Sequence, residues 1–411
     1  MELETKYQQM TDKEHILQKP DTYMGSVELV SSKMWIFNDE TQRIEEKTID
    51  YIPGFFKLVD EGIVNCRDHV ERMKTENPVK NLPVTEISVN VESDGTIVMM
   101  NNGNGIDVVL HPTYNVWIPE MIFAQLRSST NYTKAKTIIG GKNGYGVKIV
   151  FIWSTECSIE TVDHIRGKKY VQKFSNNLDI VQPPTITSSK SKPYTLIRFK
   201  PDFARFGIEG ITPDVLQLFK KRVYDIAAVT DKSVKLKWNN QVVPVKSFMQ
   251  YIDLYIGSKD QTPRVFEESG ERWEYAVALS STHEFVQVSF VNGISTSKGG
   301  KHVEYVLGQI VKKLCEYIEK KKKTKVSPNS IKEQLILFLR CDIENPSFDS
   351  QTKDFMNTPY SKFGSACTVS DKFIEKVAKL GVMETACSIT EIKENKQMKK
   401  TDGAKTKNIR G

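Results

Sequence analysis

The chain has 411 residues, 39% of them hydrophobic and 27% charged, proportions of an ordinary globular protein that exclude whole-chain disorder and a collagen-like or low-complexity composition. Lys and Arg outnumber Asp and Glu by 58 to 51, and the resulting charge of +7 permits an acidic partner without requiring one. The length predicts about two to four domains. The six cysteines include no C-x-x-C pair and fit a reducing compartment. No run approaches the ~20 apolar residues of a membrane helix, so a soluble intracellular protein without membrane contact is expected.

Residues 1–30 read as a polar arm with a turn at 19–25. A helical pattern covers 53–74. From Thr85 the period changes to two, with Ile87, Val89 and Val91 alternating with polar residues; 93–95 turn the chain and 96–100 form a second strand. Gly-rich loops follow at 101–107 and 140–146, the second leading into an apolar run at 147–153. Strands are predicted at 158–162, 170–174 and 195–200, and a helix at 215–228. A second region begins near Lys246. There 275–279 and 285–291 look like a strand pair, 302–323 a helix with a basic end, and 331–339 an apolar segment. Residues 391–411, with seven Lys/Arg against three Asp/Glu, read as a solvated linker. Strand pairs mixed with long helices point to α+β in two layers.

On a helical wheel, Phe55, Phe56, Val59, Ile63, Cys66, Val70 and Met73 of the first long helix fall in an arc of ~100°. Glu61, Asn65 and Asp68 cluster opposite. Such a polar stripe is usually a solvated face. Its functional alternative is a pocket wall in which a carboxylate acts as general base and an Asn amide oxygen meets a hard cation. The two glycine loops are either plain turns or sites where backbone approaches a ligand closely, and consecutive glycines free N–H groups to cradle phosphate. No Walker, protein-kinase or early Rossmann fingerprint accompanies them.

The order E-x-x-x-N, N-N-G-x-G-I, G-G-x-N-G-Y-G-x-K resembles the GHKL ATPases. Residues 14–26, 291–300 and 344–353 narrow the resemblance to eukaryotic-type (type IIA) DNA topoisomerase II, over essentially the whole chain. It implies a two-layer GHKL (Bergerat) ATPase sandwich with an exchange arm at 1–245, a ribosomal-protein-type βαβ transducer domain at 246–390 and a basic linker at 391–411. It also implies ATP and Mg²⁺ as cofactors, duplex DNA as partner, a homodimer closed by ATP, and the N-terminal gate of a longer enzyme without the cleavage machinery. A nuclear protein is expected, with an organellar or virus-encoded form left open.

The resemblance assigns roles as follows. Glu61 is the general base, and Asn65 holds Mg²⁺ with the triphosphate. Asp68 belongs to the nucleotide-binding set. Asn101 lines the adenine pocket, packed by Ile106, Ile122 and Phe123, with Thr195 on the strand beneath. Ser129, Thr130 and Asn131 meet ribose and phosphate. Lys142, Asn143, Gly144, Tyr145, Gly146, Val147 and Lys148 form the phosphate lid. Gln351 and Lys353 reach the γ-phosphate, Tyr7 touches the nucleotide of the other subunit, and Lys320, Lys321, Lys322, Lys323 and Lys325 face captured DNA. Three positions depart from expectation: Lys142 stands for the usual Arg, His69 for an Asn, and Gly62 sits inside a helix. The rivals are another GHKL ATPase of the chaperone or mismatch-repair type, and a catalytically degenerate DNA-binding module.

Overall fold

Thr11 and Glu14 exchange hydrogen bonds as a capping box, Glu14 N–H donating to Thr11 Oγ1 and Thr11 N–H to Glu14 Oε2, so the chain enters helix α1 (Asp12–Gln18) inside the segment read as an arm. A helical turn, α2 (Asp21–Met24), follows. The structure, a computed structural model, describes residues 9–77, 80–128, 137–141 and 144–402. It divides into two compact units, one of residues 1–255 with 292–294 and 350–352, the other of the remaining residues.

In the first unit, strands β1 (Val30–Asn38) and β2 (Arg43–Tyr51) pair as a hairpin that the sequence reading missed. Helix α3 (Pro53–Thr75) begins on Pro53, whose fixed φ suits the first helical position. A largely antiparallel sheet carries β3 (Glu86–Val91), β4 (Ile97–Asn102), β5 (Ser154–Asp163), β6 (Lys168–Ser175), β7 (Ile180–Val181), β8 (Thr185–Ser188), β9 (Tyr194–Pro201), β10 (Lys235–Trp238) and β11 (Gln241–Val242). Its order is β11-β10-β3-β4-β9-β5-β6-β7, with β8 also on β6 and β10 parallel to β3. Helices α4 (Ile118–Ala124), α5 (Gly146–Ile152), α6 (Pro213–Val229) and α7 (Phe248–Ile256) complete the unit with α3. Phe55 of α3 packs its ring against Phe203, Phe206 and Phe219, and Ile36, Ile49 and Leu218 join the hairpin to α6. The contact boundary lies after Tyr255 because α7 buries Phe248, Tyr251 and Ile252, and Tyr251 donates to buried Asp225 of α6.

Gly62 has a packing reason. A Cβ there would stand 2.5 Å from Met99 Sδ, so any side chain at this position would have to displace the Met99 thioether that fills the gap between the helix and β4.

The second unit, with β15 (Ile294–Ser295) at its boundary, holds β12 (Arg264–Glu268), β13 (Trp273–Leu279), β14 (Val286–Val291), β16 (Gly299–Gly300), helix α8 (Lys301–Lys322), α9 (Pro328–Lys332), β17 (Leu335–Cys341), β18 (Phe355–Met356) and α10 (Asp371–Val377). The expected pairing of 275–279 with 285–291 does not occur. β17 lies between them, antiparallel to β13 and parallel to β14. Its sequence Leu-Ile-Leu-Phe-Leu is apolar on both faces, the mark of a strand covered on both sides. β14-α8-β17 is thus the expected βαβ crossover. Val303, Val306, Leu307, Ile310, Val311, Leu314 and Ile318 bury one stripe of α8. The terminal segment also differs from expectation: helix α11 (Met383–Asp402) runs through the first part of the predicted linker, where Glu, Lys, Gln and Met are good helix formers.

Among the described residues, no helix is long and apolar enough to cross a membrane.

Candidate functional site

Helix α3 is largely covered on its polar face. Asp60, Arg67 and Asp68 are buried together with the apolar stripe and Glu61 and Asn65 are half-buried, so the buried polar groups here answer to protein partners. Asp68 accepts from Gly140 N–H at 2.9 Å through one carboxylate oxygen and from Gly141 N–H at 2.8 Å through the other. It therefore shapes the glycine run with both oxygens. Burial pushes its pKa up, while Arg67 and the two N–H donors pull the other way. One turn earlier, Asn65 Oδ1 lies 3.6 Å from where a Cβ on Gly141 would stand. A turn earlier again, Glu61 Oε2 lies 2.0 Å from the Cβ position of Gly146, so only glycine lets α5 begin against this carboxylate. The other oxygen, Oε1, pairs with Lys57 Nζ at 2.9 Å.

Lys57 was missed by the sequence reading, although its i, i+4 spacing to Glu61 was available. Its ammonium also bonds Asp60 at 2.8 Å. Burial drags the Lys57 pKa down, but Asp60 and Glu61 outweigh it and hold the ammonium charged. Burial raises the Asp60 carboxyl, and the adjacent Lys57 and Arg222 overcome that and keep it ionised.

The glycine loop at 101–107 closes on β5. Gly103 has φ +96°, and a Cβ on Gly105 would lie 1.9 Å from the Val162 carbonyl oxygen. Ile106 N–H donates to Thr161 Oγ1 at 3.0 Å, and Thr161 Oγ1 meets Thr195 Oγ1 at 3.0 Å. Thr195 stands opposite Asn101 in the β4–β9 register, which brings together two residues assigned to one pocket. Thr161 was not anticipated. Ile106 and Ile122 are half-buried, whereas Phe123 is buried and stacks on Phe151 with ring centroids 5.7 Å apart.

His69 does structural work at its departure from the family pattern. Its Nε2 lies 3.0 Å from the Asn104 carbonyl, which can only accept, so Nε2 carries the proton. Burial lowers its pKa to about 4. The unfolded chain therefore binds a proton at His69 below the ordinary His pKa of about 6.5, where the folded chain does not. Stability from this group is complete above that pH and is lost as pH falls toward 4, by an amount of the order of 1–3 kcal/mol. Thermal unfolding midpoints from pH 7.5 to 4 should fall less steeply for His69→Asn than for the parent. Equal slopes would remove His69 from the acid response.

Tyr145 precedes α5 and packs its ring 5.9 Å from Tyr23, whose hydroxyl meets His15 Nδ1 at 2.9 Å. Gly144 has φ +68°, and Val147 is half-buried. Lys148 is buried, donates to the Ser128 carbonyl at 2.6 Å and is lowered by burial to about 8. Gly25, with φ +86°, leaves 2.8 Å between its Cβ position and Thr352 Cγ2, so the opening motif and the Gln351-containing segment touch within the first unit. Gln351 is half-buried there, while Lys353, with φ +61°, belongs to the second unit, as do the exposed Lys320, Lys321, Lys322, Lys323 and Lys325. Tyr7, Ser129, Thr130, Asn131, Lys142 and Asn143 lie outside the described residues.

A DNA gyrase B family model matches residues 247–408. DNA topoisomerase 2 of Acanthamoeba polyphaga mimivirus is 42% identical over 98% of this chain and 32% of its own length. That of Saccharomyces cerevisiae is 40% identical over 98% of this chain and 29% of its own. The chain thus spans about a third of the length of these curated relatives. The crystal structure of the ATPase region of Saccharomyces cerevisiae topoisomerase II superposes with a TM-score of 0.87 at 40% identity, covering 94% of this chain and 99% of that one. The ATPase and transducer domains of the Balamuthia mandrillaris enzyme give 0.88 at 34% identity, covering 95% and 99%.

Proposed function

The chain belongs to the topoisomerase II family, matching its ATPase region, and from that membership we propose that it binds and hydrolyses ATP as the N-terminal gate of a type IIA DNA topoisomerase. The observation that carries this reading is the row Glu61, Asn65, Asp68 on one enclosed helix, each facing glycine backbone of the 140–146 run. Glu61 accepts a proton from the water that attacks the γ-phosphorus, and Lys57 holds one carboxylate oxygen so that the other is aimed. The glycine run supplies close backbone N–H groups for phosphate, with Lys148, Gln351 and Lys353 adding polar and cationic contacts.

Asn65 fits a magnesium ion as one neutral oxygen ligand, the hard donor that ion takes beside phosphate and water oxygens. Bound there, Mg²⁺ neutralises triphosphate charge. Asn101, Ile106, Ile122, Phe123 and Thr195 receive the adenine, and Ser129, Thr130, Asn131, Lys142 and Asn143 the ribose and phosphates. Nucleotide closes two copies into a clamp, with Tyr7 reaching the partner's nucleotide, and the clamp captures a DNA duplex. Because its relatives are eukaryotic and viral, the setting is a nucleus or a viral replication site.

The test is ATP turnover with Mg²⁺, together with sedimentation of the purified chain under no nucleotide, ADP or a non-hydrolysable ATP analogue. Turnover, and a dimer formed with the analogue alone, are expected. No turnover overturns the enzyme reading, and one mass in all three conditions overturns the clamp.

Lys320–Lys323 sit at the end of α8, outside every nucleotide motif. Replacing the four by Ala should leave basal ATP turnover unchanged and flatten the dependence of duplex affinity on salt, since fewer counterions are released. An unchanged slope would assign the run to plain solvated surface.

A further inference from the structure

We infer that Arg222 is a positioning residue for the Glu61 carboxylate, acting through Asp60 and Lys57 and tying the base to the backbone carbonyl of Gly293. The inference rests on the general-base reading of Glu61. Arg222 is 1% exposed and spends its planar fork on two targets: Nε donates to Asp60 Oδ1 at 2.7 Å, and Nη2 donates to the Gly293 carbonyl at 2.8 Å. Asp60 Oδ2 accepts from Lys57 at 2.8 Å, and Lys57 meets Glu61 Oε1 at 2.9 Å. The row is continuous, buried and built of charge-assisted bonds, which are shorter and more directional than neutral ones. On the far side Nη1 makes no hydrogen bond but lies 3.7 Å from the Asp225 carboxylate, which is itself held by Lys221 at 3.0 Å and by the Tyr251 hydroxyl at 2.6 Å.

The charge arithmetic gives the row its direction. Two carboxylates, Asp60 and Glu61, compete for one ammonium. Arg222 satisfies Asp60 Oδ1 and so leaves Lys57 free to hold Glu61 as well. Without the guanidinium, Asp60 is an under-compensated buried anion and claims Lys57 for itself. Glu61 then loses the contact that fixes Oε1, and its other oxygen loses its aim toward Gly146. A misplacement of about 1 Å at a reacting group can cost of the order of 10²-fold in rate.

Gly293 gives the row a second input. It sits at φ +77° between Asn292, whose Nδ2 donates to the Ile139 carbonyl at 3.4 Å, and Ile294, whose Cδ1 lies 3.1 Å from the Cβ position of Gly140. One three-residue loop thus touches both the arginine behind the base and the glycine run in front of it. Its covalent neighbours, Val291 and Ser295, belong to the second unit.

Arg222→Lys is the decisive variant in the full chain. A lysine keeps the charge, but its single ammonium cannot reproduce a planar fork that serves a carboxylate and a carbonyl together. Affinity for a non-hydrolysable ATP analogue should stay within about threefold of the parent, and the single-turnover hydrolysis rate should fall about 10–100-fold. A thermal melt run beside these readouts checks folding, and Glu61→Ala is measured in parallel. Should Arg222→Lys not fold, Arg222→Gln keeps a donor for Asp60 without the charge, so Asp60 still claims Lys57, and the same loss of rate is expected. A folded variant that hydrolyses ATP at the parent rate while Glu61→Ala is inactive overturns the inference and leaves the base standing. Weakened analogue binding with an unchanged rate overturns it as well. Parent-rate hydrolysis by Glu61→Ala overturns the base reading and this inference with it.

Discussion

Glu61→Ala is expected to lower the rate of ATP hydrolysis by ~10²–10⁴ while leaving nucleotide affinity within a few-fold of the parent. Removing a carboxylate from a buried site often unfolds a protein by orphaning its partner. Here the partner is shared, because Lys57 still bonds Asp60 at 2.8 Å, so the fold should survive. What disappears is an acceptor held on one side by Lys57 and pressed on the other against Gly146. Glu61→Gln, which keeps the shape and the neighbours but cannot accept a proton as an ion, should be as slow as Ala. Single-turnover hydrolysis and equilibrium binding of an analogue separate the two quantities. Turnover near the parent value, or a loss confined to binding, would sink the assignment of Glu61 as base.

The row Glu61, Asn65, Asp68 was legible because a helix repeats every 3.6 residues and spacings of four and three residues place side chains on one face. That this face is enclosed was not legible: an amphipathic wheel does not say whether a second element covers the polar side, and here the glycine run does. The Arg222–Asp60 bond joins residues 162 positions apart, a distance at which no local pattern operates. The β13–β14 pairing failed for a related reason. Two apolar segments separated by a short turn read as a hairpin, but the strand that divides them arrives only after the long helix α8. The hairpin β1–β2 escaped because its burial alternates only in part, so neither strand shows a clean period of two. Gly62 was an anomaly on helix propensity alone and becomes intelligible only beside Met99.

Gly105→Ala should be the most damaging single methyl group in the first unit. The N-N-G-x-G pattern signalled either positive φ or close backbone approach, and the structure uses both, positive φ at Gly103 and close approach at Gly105. The added Cβ would stand 1.9 Å from the Val162 carbonyl oxygen and 2.6 Å from its carbon. Backbone cannot swing aside as a flexible side chain can, so the loop itself must move off β5. That movement breaks the bond from Ile106 N–H to Thr161 Oγ1 and strains the one from Val108 N–H to Asp163 Oδ2, now 3.0 and 2.9 Å. Overpacking and a lost buried hydrogen bond each cost about 1–3 kcal/mol, enough to lower the melting temperature by several degrees. The pocket floor goes with it, because Thr161 orients Thr195 opposite Asn101. Nucleotide affinity should fall at least tenfold, measured by titration calorimetry well below the melting temperature. Gly210→Ala is the matched control, since its Cβ position has no heavy atom within 4 Å and its φ is not positive. It should leave affinity unchanged and cost no stability. Equal melting temperatures and equal affinities for the two variants would show that the approach of the loop to β5 is looser than these distances require, and that the second glycine of the motif is only a turn residue.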